Sequence, residues 1–476
     1  MTVAIIGGGI AGLTVGYLLA ERFPALEIQI FEGQERPGGK IWTQKEGGYL
    51  IESAVNGFLD NRPKTLELSQ QLGLSPVRSN EGARRRYIYA AGRLHRVPDG
   101  LLAFVGTDLL SAGAKVRVLM EAFLPAARGA AAPAVRDIED ETLASFATRR
   151  LGREAYETLI DPMASGIYAG DAQQLSLKAC FPKVYNLEVN YGGLIRGMIG
   201  KMWEGRKTKT TVSAGPGGVL TSFEAGMGSI IDALGERLGQ RLRVGHAAVA
   251  VERLRDRYVV HFDAGDPIEV EAVILAAPAY ASSLMVRGLD GQLSRELGGI
   301  VNPPVSVVCM GVRKEHIKGN GVDGFGFLIP SKAGRKTLGT LFDSTIFPNR
   351  APEGYTLLRT MLGGARNPHI AQLKDDDLVS TVLKELSDII GLKHTPEMIK
   401  IYRHEKAIPQ YNQGHPAMLE RVNQLMQRHR GLYLHGNSYK GIGVNDCIET
   451  SYELVERIAG ELFASAKRHQ EGADDN

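Results

Sequence analysis

Cysteine is scarce in this 476-residue chain: Cys180, Cys309 and Cys447 stand far apart and form no Cys-x-x-Cys pair. That argues against a disulfide framework and a thiolate metal site, and suits a reducing compartment. The eleven histidines include no His-Glu-x-x-His and no pair at ligand spacing, so no metal is expected. No uninterrupted apolar run reaches the roughly 18–20 residues that span a bilayer. The first apolar strand begins at residue 3, which leaves no room for a signal peptide. Charge of one sign is not in excess either. A net charge of +3, with no basic stripe interleaved with aromatics, makes nucleic acid an unexpected partner. The expectation is a cytoplasmic protein, or one held to the inner face of the cell membrane only peripherally.

What is present begins at once. Residues 2–15 run from an apolar strand into a glycine turn and then a helix, placing Gly7, Gly9 and Gly12 in the Gly-x-Gly-x-x-Gly spacing of a dinucleotide site. Gly7 permits the tight turn, Gly9 lets backbone approach a pyrophosphate, and Gly12 lets helix and strand pack closely. The helix N-terminus offers free N–H groups and a favourable dipole to the phosphates. Glu32 follows at the end of a second strand, Glu27 to Phe31, where its carboxylate can accept ribose hydroxyls.

A chain of this length is too long for one core, and two or three units are expected. The nucleotide-binding unit reads as discontinuous: residues 1–84, 213–282 and 426–476. Its middle piece holds an amphipathic helix from Gly226-Met227-Gly228 through Leu238, then strands at Val249–Leu254, Arg257–Phe262 and Ile268–Leu275. Its last piece turns from a strand into the glycine-rich run Gly436 to Cys447 and a closing helix. Residues 85–212 look largely helical, with a loop at Ala126–Ala134. Residues 283–425 read as an antiparallel sheet (Val305–Val312, Gly326–Ile329, Thr356–Leu362) backed by a helix over Asp376–Ile390. The fold class is α/β, α+β overall: a Rossmann-like domain with a sheet-based substrate domain and a helical insertion.

An NAD-dependent dehydrogenase usually keeps its binding unit in one piece. Here a second glycine-rich helix start returns at the C-terminus, which suits FAD, whose ring needs N–H groups near its N1–C2=O edge. A C-terminal strand and helix that merely close the fold is the alternative.

Gly7-x-Gly9-x-x-Gly12, the extension Arg36-x-Gly38-Gly39-Lys40, Leu275-Ala276-Ala277-Pro278 and the C-terminal glycine run together resemble the flavin amine oxidase superfamily. Within it, Glu52 to Phe58, Arg86-Tyr87-Ile88-Tyr89, Ser165 to Asp171, Gly324 to Pro330, Met361 to Arg366, Ile408 to Tyr411 and Val444 to Ile448 resemble the oxygen-dependent protoporphyrinogen oxidases, in order and over the whole chain. Two departures stand out. Ala54-Val55-Asn56 replaces a common Gly-Pro-Asn, and no cysteine occupies a covalent attachment site, so the implied FAD is non-covalent.

The resemblance implies a six-electron oxidation of protoporphyrinogen IX to protoporphyrin IX in haem synthesis, with oxygen or another acceptor reoxidising the flavin. It further implies that Gly7, Gly9, Gly12, Glu32, Arg36, Gly38, Gly39, Lys40, Val249, Gly436, Gly443, Val444 and Asn445 hold the cofactor. Arg86 is the implied propionate anchor, since guanidinium binds carboxylate bidentately; a solvated basic turn at Arg84–Arg86 is the other reading. Gly166 lets a backbone group approach the macrocycle, and Phe325, Leu328 and Met361 flank its rings unless they are plain core. Asn56 touches substrate or flavin, or satisfies a turn. His95 and Asp99 form a tempting acid/base pair, but a loop location favours solvent exposure.

Seven Arg or Lys between residues 84 and 118 surround Leu101 to Val105 and Leu109-Leu110, a pattern of either a membrane-surface stretch or a substrate-domain core. The resemblance implies docking on a membrane surface and allows a homodimer. Competing readings are coproporphyrinogen III oxidation to coproporphyrin III, amine oxidation or carotenoid desaturation, and a non-enzymatic flavin-binding subunit.

Overall fold

The computed structural model describes residues 1–125, 140–208, 218–319 and 321–471. The loop expected at Ala126–Ala134 lies outside the described residues, as does the start of the second nucleotide-binding segment up to residue 217. Five parallel strands form the first sheet, in the order Leu242–Arg243, Glu27–Phe31, Thr2–Ile6, Ala272–Leu275, Leu432–Leu434. Thr2–Ile6 and Ala272–Leu275 are apolar almost throughout because both their faces are covered. Val3, Ile5 and Ile274 meet the helices Ile10–Arg22, Gly228–Leu238 and Val444–Glu471 on one side. Ala4, Ile6, Val273 and Leu275 meet an antiparallel three-stranded sheet on the other, built from Ala248–Leu254, Arg257–Phe262 and Ile268–Val270.

The run Ile268–Leu275, expected as one strand, is therefore two. Ile268–Val270 closes the three-stranded sheet and Ala272–Leu275 enters the parallel one, with the break at Glu271. The Glu271 backbone N–H donates to the Thr2 carbonyl at 3.0 Å, and its carboxylate accepts from the Thr2 N–H. The alternation Ile268-Glu269-Val270-Glu271 passes at Ala272 into an apolar run, a pattern that marks burial but not which sheet receives each part.

The second sheet has seven strands in the order Met398–His404, Val305–Arg313, Tyr355–Gly363, Thr337–Phe342, Gly326–Leu328, Arg86–Ala90, Arg93–Arg96. Neighbours are antiparallel except Gly326–Leu328 beside Arg86–Ala90. Helix Asp375–Ile390 seats Leu378, Val382 and Leu386 against Val308, Met310 and Leu358 on one face. Three aspartates in its first turn suit the helix dipole, and Gly391 at φ +65° ends it. The edge hairpin Arg86–Arg96 departs from the helical expectation for residues 85–212. Its alternation of aromatic and β-branched residues, and its two-residue turn Ala91-Gly92 with both φ positive, are the local reasons.

The rest of that insertion is helical, including Leu143–Leu151, Asp161–Tyr168, Pro182–Tyr191 and Leu194–Thr208. No helix among the described residues is long and apolar enough to cross a membrane. A buried pair ties the insertion together. Glu121 accepts from Arg150 Nε at 2.7 Å and from the N–H groups of Leu194 and Ile195 at 2.8 and 2.9 Å, the two amides lying at a helix start. Removing this carboxylate leaves the fully buried Arg150 guanidinium with no nearer carboxylate among the described residues than Glu188, at 3.6 Å. Glu121→Ala is expected to cost about 3–5 kcal/mol, read as a lower urea midpoint and faster proteolysis within residues 140–208.

Candidate active site

The N-terminal glycines occupy three different environments. A Cβ on Gly12 would lie 2.0 Å from the Gly7 carbonyl oxygen, and one on Gly7, at φ +115°, would lie 2.8 Å from the Ala277 nitrogen. A Cβ on Gly9 would meet nothing within 4 Å, although Gly9 is the N-cap of helix Ile10–Arg22. Packed glycines on either side of an open one, at a helix N-terminus, make a cradle for a phosphate. Glu32 is held at its edge by accepting from the Gly8 N–H at 2.7 Å and the Gln34 N–H at 2.9 Å. Val249 sits in a β-bulge between Ala248 and Ala250 that turns it out of the ladder and exposes it.

The Arg36–Lys40 extension folds back onto this turn. The Gly38 N–H donates to the Gly8 carbonyl at 2.7 Å, and Arg36 staples the loop by donating to the Gly39 carbonyl at 2.8 Å while lying 4.5 Å over Trp42. Lys40 donates to the Ala407 carbonyl, and burial pulls its ammonium down to about 8. The C-terminal segment completes the convergence. Gly436 stands where a Cβ would lie 3.6 Å from the Ala276 oxygen and 3.9 Å from Ala11 Cβ. Asp446 accepts from the Gly443 N–H at 3.2 Å and so caps the last helix. Asn445 spends its side chain on the protein, donating to Leu59 and accepting from Thr65. The backbone N–H groups of Val444 and Asn445 lie in a first turn, where no intrahelical acceptor exists.

The substrate-side candidates are assembled by register in the seven-stranded sheet. Arg86, Gly326, Leu341 and Arg359 lie in one cross-strand row, and Leu328, Gly339, Met361 and Val307 in the row two residues along. Rows two residues apart share a face, so Arg86, Leu328 and Met361 project to one side. Gly166 meets that side from helix Asp161–Tyr168, where a Cβ would lie 2.6 Å from a Leu328 methyl. Arg86 is exposed, with its guanidinium 5.3 Å from the Phe325 ring centre and no carboxylate partner among the described residues. Arg85 by contrast pairs with Asp323 at 2.9 Å.

Several of the family-like stretches are joints between segments. Arg366 pairs with Asp161 at 2.5 Å, and Asp161 also accepts from Ser331, which fixes the Gly166 helix to the sheet. Gln410 donates to the Tyr168 carbonyl at 2.9 Å, and the Tyr411 hydroxyl donates to the Asn437 carbonyl at 2.6 Å. His95 is neither in a loop nor exposed. It is buried on a strand with Nδ1 2.6 Å from Asp108 and Nε2 3.0 Å from the Ala90 carbonyl, while Asp99 pairs with Arg96. A buried imidazole with both nitrogens engaged is a fastening, not an acid/base catalyst.

Asn56 is buried and donates through Nδ2 to Asp343 at 3.2 Å; Asp343 in turn pairs with Arg359 at 2.9 Å. Neither Asp343 nor Arg359 was among the sequence candidates. The readable signal for Arg359 was a cation in the middle of the apolar run Tyr355–Gly363. Nearby Glu52, deeply buried, accepts from Thr43 and from the Met227 N–H, and burial raises its carboxyl.

A phosphate cradle of this kind suits a dinucleotide-dependent enzyme, and the comparison with known proteins makes it a flavin-dependent oxidoreductase. Residues 10–459 match the model of the flavin containing amine oxidoreductases, and the chain belongs to that family. Its cofactor is FAD, and the open position above Gly9 fits the group. The chain is 30% identical to the coproporphyrinogen III oxidase of Bacillus subtilis, over 97% of its own length and 98% of that protein. It is 31% identical to the chloroplastic protoporphyrinogen oxidase 1 of Arabidopsis thaliana, over 95% and 87% respectively. A crystal structure from Exiguobacterium sp. 255-15, assigned as a protoporphyrinogen oxidase, superposes with a TM-score of 0.82 at 28% identity, covering 97% of this chain and 99% of that one.

Gly9→Ala and Gly12→Ala should fail differently. Gly9→Ala fills open space and is expected to leave the melting temperature of the FAD-free protein unchanged while weakening FAD retention. Gly12→Ala drives a methyl into the Gly7 carbonyl and is expected to lower both. Flavin absorbance after gel filtration and melting of the FAD-free protein separate the two.

Proposed function

We propose that this protein oxidises protoporphyrinogen IX to protoporphyrin IX, with oxygen as the terminal acceptor. The observation that carries the reading is the single sheet face on which Arg86, without a carboxylate partner among the described residues, stands beside Phe325 and shares a side with Leu328 and Met361, closed by Gly166. An apolar platform with one accessible cation suits a flat, apolar macrocycle carrying carboxylates. Six hydrogens leave the porphyrinogen as three hydrides and three protons, and three oxygen molecules become three of hydrogen peroxide. Bound FAD supplies the two-electron acceptor in each of three cycles. The protein supplies orientation more than acid/base chemistry. Arg86 holds a propionate, Leu328 and Met361 flank the rings, and Gly166 allows close approach of backbone.

Coproporphyrinogen III is the second reading, favoured by the Bacillus subtilis relative. Its four propionates call for more cations at the site than Arg86 alone. The paired assay decides: kcat/KM is expected to be higher for protoporphyrinogen IX, and the reverse order would reassign the enzyme. Arg86→Ala is expected to raise KM roughly tenfold or more with FAD content unchanged; an unchanged KM returns Arg86 to the surface.

The reading extends to a membrane surface. Leu102 is 90% exposed, Phe123 79% and Trp203 68%, all on the helical insertion, with Leu101, Val105 and Val116 also exposed. Large exposed apolar side chains along one insertion suit a membrane interface, while Lys115 and Arg117 spend donors on the Val105, Arg149 and Arg150 carbonyls. Co-sedimentation with phosphatidylglycerol vesicles is expected, and Leu102→Glu with Trp203→Glu should abolish it.

A further inference from the structure

Past the substrate face, the seven-stranded sheet ends in an open cleft of about 490 Å³. Ile329 and Pro330 line it where the strand Gly326–Leu328 runs out, and His369 and Ile370 line it from the short 3-10 helix Pro368–Gln372. None of Arg86, Gly166, Phe325, Leu328 and Met361 belongs to its lining. A volume of this size admits a metabolite-sized ligand.

The lining is one-sided in its chemistry. It holds Arg335, Lys336, Arg366, Asn367 and His369, and no aspartate or glutamate among the described residues. The two arginines are anchored by groups outside the cleft. Arg366 Nη1 donates to Asp161 at 2.5 Å, while Arg335 donates to Asp388 at 2.6 Å and to the Tyr89 hydroxyl at 3.1 Å. A guanidinium has five N–H donors, so each arginine keeps donors unspent. The side chains of Lys336, Asn367 and His369 make no hydrogen bond or ion pair among the described residues.

The carboxylates nearby are already committed. Asp161 also accepts from Ser331, and Glu385 accepts from the N–H groups of Lys336 and Thr337. Neither these two nor Asp388 lines the cleft, so its open side presents donors. Donors held in place before a ligand arrives lose little freedom on binding it. An acceptor with negative charge gains most, because its bonds to guanidinium and ammonium are charge-assisted.

We propose that this cleft binds a small anion bearing carboxylate or phosphoryl groups, at a site separate from the substrate face. Lys336 and His369 supply contacts that no protein group uses, and Arg335 and Arg366 supply a fixed frame. The assignment does not depend on the porphyrinogen reading. The site is nonetheless placed to bear on turnover, since Arg366 fastens the helix that carries Gly166 through Asp161.

The test is calorimetric titration of the FAD-saturated protein with citrate and with pyrophosphate, at low salt, where charge pairing is least screened. Saturation with FAD keeps either probe out of the phosphate cradle at Gly9. One-site binding of at least one probe is expected, and the tighter of the two identifies carboxylate or phosphoryl as the preferred group. Lys336→Gln combined with His369→Gln is expected to weaken that binding about tenfold or more. Melting temperature and FAD content should not change, because both side chains are exposed and unpartnered. Arg86→Ala should leave the affinity as it was. Failure of both probes to bind overturns the proposal, as does binding that the Lys336 and His369 substitutions leave intact. Binding that Arg86→Ala abolishes would put the anion on the substrate face and overturn it equally.

Discussion

The backbone hydrogen bonds of Thr2–Ile6 constrain everything else. On one side they are satisfied by Glu27–Phe31, which follows almost directly, and on the other by Ala272–Leu275. Leu432–Leu434 then pairs beyond that strand. A parallel sheet requires crossover connections, and this chain has enlarged two of them into whole structural units. The glycine turn after Ile6 is locked from the far side, since Gly7 lies against Ala276 and Ala277 at the end of the distant strand. The cofactor cradle therefore depends on pieces from both ends and the middle of the chain. Such non-local pairing is slow to form, and stable retention of FAD must await the final strand.

The same sheet orders the chemistry around it. Lys40 reaches from the glycine extension to the Ala407 carbonyl in the second insertion, and Tyr411 reaches back to Asn437 beside the C-terminal glycines. Each contact crosses between a nucleotide-binding segment and a substrate-side segment. Three buried ion pairs do similar work: Arg150 with Glu121 and Arg359 with Asp343 within their own regions, and more loosely Arg350 with Glu52 at 3.7 Å, across from the second insertion to the N-terminal segment. None is a bargain in desolvation terms. All three sit where loops or helix starts must take one orientation.

Much of this is legible in the sequence itself. The opening strand, turn and helix carry their own period and punctuation, and the strands Arg257–Phe262 and Tyr355–Gly363 announce themselves by alternation or apolar run. Residues that act locally, such as Gly12, were readable for the same reason. Asp343 and Arg359 were not, because their meaning lies in a partner far along the chain. His95 misled in the same way: the Asp108 that engages it follows a turn and a short helix whose packing no local pattern discloses. The hairpin Arg86–Arg96 was obscured by its position at the head of a helical segment, although its turn residues suit a tight reversal.

That hairpin also has a metrical consequence. Arg86 joins the sheet by parallel pairing with Gly326–Leu328, so the cation and the apolar residues belong to one rigid lattice whose strands lie about 4.8 Å apart. The offset between charge and platform is counted in strands and residues, not left to a loop. A ligand that meets both is measured as if against a ruler, and one whose carboxylate hangs at the wrong distance from its ring can satisfy the cation or the platform, but not both together.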